Sequence, residues 1–171
     1  LVDDPEIAWC RETVRRVMAE LGLFGRPKRR FVKTTDSDHS EPIAVNRLRR
    51  DFTTTRPDQK WLADITYLRL VEGWLYLAVV LDCFSRRIVG WSLSRHIDAE
   101  LVCEALTMAL RRRCPQADLV HHSDRGVQYA SQALREMLDR EGLTMSMSRK
   151  GDPWDNAMME SFFGSLKTEW I

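Results

Sequence analysis

Apolar residues recur at helical spacing first between positions 6 and 21, where Ile7, Val14, Val17, Met18 and Leu21 alternate with Arg11, Arg15 and Arg16 before Gly22. That pattern predicts an amphipathic helix with a basic face. From Gly25 to Lys60 the periodicity fades, Pro27, Pro42 and Pro57 interrupt, and Arg26, Lys28, Arg29, Arg30 and Lys33 crowd together, as expected of an extended linker. The character changes at Trp61. Trp61 to Leu70, Trp74 to Leu81 and Arg87 to Leu93 read as three antiparallel strands in series, the first two joined at Glu72-Gly73. Asp98 caps a helix that turns Val102, Ala105, Leu106, Ala109 and Leu110 inward and ends in Arg111, Arg112 and Arg113.

A short strand from Leu119 to His122, a helix from about Ser131 to Arg140, a strand from Leu143 to Met147 and a last helix from Asn156 complete the order βββαβαβα. A parallel strand reached through a helix must be covered on both faces, so the expected class is α/β, a mixed sheet of about five strands flanked by helices. The expected organisation is a helical segment over 1–24, a basic and polar linker over 25–60, and a core over 61–171.

Composition narrows the class. Of 171 residues, 44% are hydrophobic and 30% charged, which suits a folded chain and excludes disorder throughout. The longest apolar run, Trp74 to Leu81, is too short to span a bilayer, and the expected setting is the cytoplasm, with no membrane partner. Cys10, Cys83, Cys103 and Cys114 form no C-x-x-C pair and read as reduced thiols; with the four histidines they show no zinc spacing. Net charge is only +1, with 13 Lys/Arg against 10 Asp/Glu in residues 1–60 and 13 against 15 beyond. Nucleic-acid binding would therefore rest on local patches, and an acidic cluster that binds metal would explain part of the deficit.

Three carboxylates attract attention. Asp64 stands within a strand beside Leu62, Thr66 and Leu68, where an ionised group without a partner is costly; alone, a structural Asp held by hydrogen bonds or an Arg is an equally good reading. Asp124 follows a strand, where ligands of α/β sheets usually bind, although a turn Asp tying the backbone before Gly126 explains it too. In the last helix Met159, Phe162, Phe163, Leu166 and Trp170 form an apolar stripe, with Asn156, Glu160 and Lys167 on a neighbouring one. Glu160 and Lys167 lie two turns apart, ~10 Å, too far for an ion pair along the helix. Three such carboxylates could hold Mg²⁺, which keeps the remaining positions for water or phosphate oxygens. Two ions ~4 Å apart would hold the attacking and leaving oxygens of a phosphodiester in line.

Other candidates are weaker. If Leu70 faces Leu75, Asp64 stands opposite Leu81 and Asp82 points to the other face, where it caps the Phe84 turn. Asp155 reads as an N-cap, Asp152 as a loop residue, and Trp154 as a core anchor. His122 could orient a ligand or water near Asp124, and Arg149 and Lys150 are reasonable phosphate contacts.

"WLADITY", "LDCFSRRIVGWS", "HHSDRGVQY" and "SMSRKGDPWDNAMMESFFGSLKTE" closely resemble the transposases of the insertion-sequence three family, within the retroviral-integrase superfamily. The match runs from Pro57 to Ile171, and the 35 residues between Asp124 and Glu160 are typical of that superfamily's D-D-E triad. The resemblance implies an RNase-H-like integrase core in which Asp64, Asp124 and Glu160 are catalytic metal ligands for Mg²⁺, with Mn²⁺ able to substitute and two ions when DNA is bound. It implies that Lys167 contacts element-end DNA, with Asn156 beside it. The early helix and the "RPKRR" stretch, including Arg29 and Arg30, would be the tail of an upstream DNA-recognition region. The implied chemistry is cleavage at element ends followed by strand transfer, by a homo-oligomer on the bacterial nucleoid. A catalytically silent DNA-binding remnant and an RNase-H-like nuclease are the alternatives, and the chain reads as truncated at its C-terminal end.

Overall fold

The computed structural model describes residues 10–23, 40–149 and 153–169, the side chains of 153 and 154 excepted. The chain divides into two compact units, 1–32 and 33–171. In the first, α1 (Arg11–Glu20) forms as the periodicity predicts, yet none of its residues is buried; Val14 is 43% and Leu21 66% exposed.

In the second unit five strands make one mixed sheet in the order β3-β2-β1-β4-β5: β1 (Lys60–Leu70), β2 (Gly73–Asp82), β3 (Ile88–Ser94), β4 (Val120–Ser123) and β5 (Thr144–Met147). β1, β2 and β3 form the antiparallel meander, and β4 and β5 add in parallel to β1. Each parallel step passes through a helix, α2 (Ala99–Arg113) or α3 (Gln132–Arg140), because a parallel neighbour cannot be reached by a hairpin. Asp98 caps α2 by accepting from the Leu101 N–H, and Ser131 caps α3 in the same way from Leu134. α4 (Ala157–Glu169) follows a short 3-10 turn, Pro153–Asn156.

The two sheet faces carry separate cores. Alternation puts Trp61, Ala63, Ala78 and Val80 on one face, against Leu101, Val102, Ala105 and Leu106 of α2 and Leu134 and Leu138 of α3. Leu62, Val79 and Leu81 project to the other, against Met159 and Phe163 of α4.

The hairpin differs from expectation by two places. Its loop is Val71-Glu72, Leu70 pairs with Gly73, and Asp64 stands opposite Val79 rather than Leu81. A two-residue loop is the tightest common connection, and Gly73 takes the φ of +136° that closes it. A slip of two leaves every side chain on its expected face, so Asp82 still points away from Asp64; it is buried and accepts from the Ser85 N–H at 3.0 Å, capping the Phe84 turn as expected.

The stretch read as linker is packed from Ala44 onward. Leu48 is 2% exposed in the α4 core, and the Asp58 carboxylate receives the Arg113 guanidinium. Side-chain and backbone hydrogen bonds hold this segment in place of a periodic apolar face, so nothing in its pattern announced the packing.

Candidate active site

The geometry follows from the β1–β4 register. Leu62 pairs with His122 in parallel, and β4 ends at Ser123. Continuing that register by two places sets Asp124 alongside Asp64, at the point where β1 loses β4 as a neighbour. Both carboxylates are also tied locally. Asp64 Oδ1 accepts from the Ile65 N–H at 2.8 Å, and Asp124 Oδ1 accepts from the Gly126 N–H at 2.8 Å. The Asx turn expected as the structural reading of Asp124 is thus present, and it aims the carboxylate rather than replacing any other role.

α4 supplies the third side. Asn156, at the end of the 3-10 turn, is 8% exposed and donates from Nδ2 to Asp64 Oδ2 at 2.9 Å. The tighter 3-10 winding turns it toward Asp64, off the stripe that a regular helix would give. Glu160 follows one turn later and is exposed. Lys167, two turns further on, places Nζ 4.4 Å from the centroid of Tyr67 on β1.

The charges of these groups act on Asp64. Burial pushes the Asp64 carboxyl up to about 8, the neighbouring Asp124 and Glu160 carboxylates push the same way, and the Ile65 N–H and the Lys167 ammonium oppose them. Tyr129, missed in the sequence, is 2% exposed and lies close enough for Asp64 and Asp124 to add to the burial that raises its phenol. Its hydroxyl, Asn156 Oδ1, His121 Nδ1 and His122 Nε2 are buried without a hydrogen-bond partner among the described residues. Native structures rarely leave such groups unsatisfied, so each calls for a partner such as a water molecule or an ion. Among the described residues no three His, Cys, Asp or Glu stand close enough to ligate one metal ion.

His122 lies behind the carboxylates. Ser146 Oγ accepts from the Arg47 N–H at 2.9 Å, which leaves its own proton for His122 Nδ1 at 2.8 Å. Burial pushes His122 down to about 4, partly opposed by Asp155. Asp155 is not the expected N-cap. It is 1% exposed and accepts from Asn46 Nδ2 at 2.7 Å and the Arg149 N–H at 3.1 Å, clasping the 44–60 segment to the turn that launches α4. Asn46→Ala removes one partner of this buried carboxylate and is expected to cost about 1–3 kcal/mol, read as a lower Tm. A change below about 0.5 kcal/mol would show that the clasp does not hold the segment. The Arg149 side chain is exposed, whereas Arg29, Arg30, Lys150, Asp152 and the Trp154 side chain lie outside the described residues.

Two family models described as Integrase core domain match this chain, over residues 54–153 and 141–171. The transposase InsF for insertion sequence IS3A of Escherichia coli is 47% identical over 160 residues, 94% of this chain and 56% of that protein. An uncharacterized 31 kDa protein of insertion element IS600 from Shigella sonnei is 46% identical over 159 residues, 93% of this chain and 58% of that protein. The chain thus spans little more than half the length of these relatives. Among solved structures, the simian T-cell lymphotropic virus intasome aligns with a TM-score of 0.63 at 20% identity, covering 80% of this chain and 46% of that one. The HTLV-2 integrase catalytic core domain in complex with magnesium gives 0.55 at 19% identity, covering 66% and 69%. These likenesses establish the fold as the RNase-H-like one of integrase cores. With a family model matched across more than half its residues, this chain belongs to the integrase core domain family, alongside insertion-sequence transposases.

Proposed function

We infer that this chain is the catalytic core of a transposase that cuts the ends of a mobile DNA element and joins them to a target, with Asp64, Asp124 and Glu160 holding Mg²⁺ or Mn²⁺. The observation that carries the reading is the pairing of Asp64 with Asp124: the β1–β4 register, continued by two places, brings them side by side, and Glu160 lies on the helix that begins just after the Asn156 that bonds Asp64. A hard divalent cation with oxygen ligands suits this donor set, and the unpartnered Asn156 Oδ1 and Tyr129 hydroxyl offer further polar atoms beside it. When bound, the metal neutralises charge at the phosphodiester and acidifies the attacking hydroxyl.

The chain's own residues do the rest. Asn156 and the Ile65 N–H fix the two Asp64 oxygens, while Lys167 and Arg149 offer cations to backbone phosphates. In cleavage, water attacks phosphorus and the bond to the 3′ oxygen breaks, leaving a 3′-hydroxyl. In joining, that hydroxyl attacks a target phosphorus and a second 3′-hydroxyl departs, so the bonds balance without a covalent enzyme intermediate. Homo-oligomeric assembly on element ends, in the bacterial cytoplasm, belongs to the same proposal, as do phosphate contacts by Arg29, Arg30 and Lys150.

Proton linkage tests the site directly. Below about pH 4 the Asp64 carboxyl is protonated folded or unfolded; between about 4 and 8 only the folded chain keeps the proton, so this group makes stability fall as pH rises. In EDTA the Tm is expected to drop between pH 5 and 8, Asp64→Asn to flatten the drop, and Mn²⁺ to restore the wild-type Tm at pH 8 but not that of Asp64→Asn. The second reading, a silent DNA-binding remnant, has in its favour that no three potential ligands among the described residues reach one metal position. It wins if Mn²⁺ leaves the Tm unchanged.

A further inference from the structure

Beyond the carboxylates, the tip of the β1–β2 hairpin carries Tyr67, Trp74 and Arg69, which the proposed chemistry does not use, next to Lys167, which it does. Arg69 pairs with Trp74 and Tyr67 with Tyr76, so Tyr67 and Trp74 are diagonal neighbours on one sheet face. Their rings meet edge to face at 5.1 Å, with an interplanar angle of 77°. Each ring also has a cation beside it: Lys167 Nζ lies 4.4 Å from the Tyr67 centroid and the Arg69 guanidinium 6.0 Å from that of Trp74. Trp74 is 50% exposed, an unusual state for an indole with no core to fill.

We propose that the Lys167–Tyr67–Trp74–Arg69 ladder is a binding platform for single-stranded DNA leading away from the reaction site, with a base stacked on Trp74 and phosphates held by Lys167 and Arg69. The inference rests on the reading of this core as a DNA-processing enzyme. Three observations support it. Lys167 belongs to both places: it lies on α4 two turns beyond Glu160, while its ammonium sits on Tyr67, which projects from the face of β1 opposite Asp64, so a strand leaving the carboxylates is led past β1 onto the rings. The pairing of exposed aromatic surface with cations matches the two things an unpaired strand presents, a π-face and a phosphate. A purely apolar partner would gain nothing from Lys167 and Arg69, and a fully paired duplex presents no base face to Trp74.

The test is fluorescence anisotropy on the 171-residue chain in EDTA and low salt, so that binding is read without metal or chemistry. The probes are a labelled oligothymidylate of about 12 nucleotides and a blunt duplex of the same length. Trp74→Ala is expected to weaken the single strand about tenfold and the duplex less than about twofold, and Trp74→Phe to recover most of the loss. Arg69→Gln should reduce the slope of log affinity against log salt by about one phosphate's worth. Because Trp74 is half exposed, these variants are expected to melt with the wild type. Equal losses on both probes, or no loss on either, overturns the platform. So does unchanged strand binding with a dimer dissociated by Trp74→Ala in sedimentation, which would make the tip a surface between copies. A chain that passes this test yet shows no metal-dependent Tm shift would retain the platform and lose the strand-transfer reading.

Discussion

Glu160→Gln is expected to abolish metal-dependent cleavage and joining, by on the order of 10³-fold or more, without unfolding the chain. A loss of that size corresponds to roughly 4 kcal/mol of transition-state stabilisation, plausible for removing one charged ligand from a metal site that carries the whole reaction. The fold is expected to survive because the Glu160 side chain is exposed, while the packing of α4 rests on Met159 and Phe163. Glutamine is isosteric and keeps the helix propensity, so the lost charge is the only large change. The measurement is cleavage and strand transfer on element-end DNA, in a protein lengthened to match its relatives, with circular dichroism as the control on folding. Because the Glu160 carboxylate also raises Asp64, the variant should shift the pH at which the metal-free chain loses stability downward. Undiminished joining by Glu160→Gln would remove the triad from the mechanism.

Much of this was legible in the sequence because its periodicities are strong. The alternation from Trp61 onward and the helical stripe around Met159 and Phe163 arise from burial on one face of a regular element, and burial is what pattern reading detects. The placement of Asp64 in a strand and Asp124 after one was legible for the same reason. What escaped depended on irregular backbone. The 44–60 segment is held by Asn46, Arg47 and Asp58 through hydrogen bonds and an ion pair, none of which leaves a period. Asn156 was placed on a helical stripe that begins one residue later, so the 3-10 turn carried it inward to Asp64. Tyr129 lies in a turn, where a buried phenol facing two carboxylates looks the same in sequence as one that only fills space. The expected register differs by two because the two-residue turn is expected one position too late, at Glu72-Gly73 rather than Val71-Glu72, a difference that moves partners without moving faces.

The largest structural effect is expected from the sheet face opposite α4. A Cβ built on Gly90 of β3 would lie 2.2 Å from the Ala105 carbonyl oxygen and 2.8 Å from both the backbone N and the Cβ of Ala109. These are helix backbone and a methyl, with no flexible side chain to swing aside, and Ala105 and Ala109 are buried at 1% and 0% exposure. Valine at position 90 therefore requires α2 to move off the sheet, which opens the contacts of Val102 and Leu106 with the strands. The expected loss is about 4 kcal/mol or more, a large share of the stability of a domain this size, seen as a Tm lower by roughly 10–20 °C or as insoluble protein. Gly164→Ala in α4 is the control, because nothing lies within 4 Å of its added Cβ and alanine favours the helix; it is expected to be neutral or to stabilise by up to about 1 kcal/mol. Since α2 packs on the face away from α4, any folded Gly90→Val protein should retain the Mn²⁺ response of the carboxylates, separating loss of fold from loss of site. A Gly90→Val chain that melts within about 2 °C of the wild type would mean that α2 does not sit against β3 as closely as this packing requires.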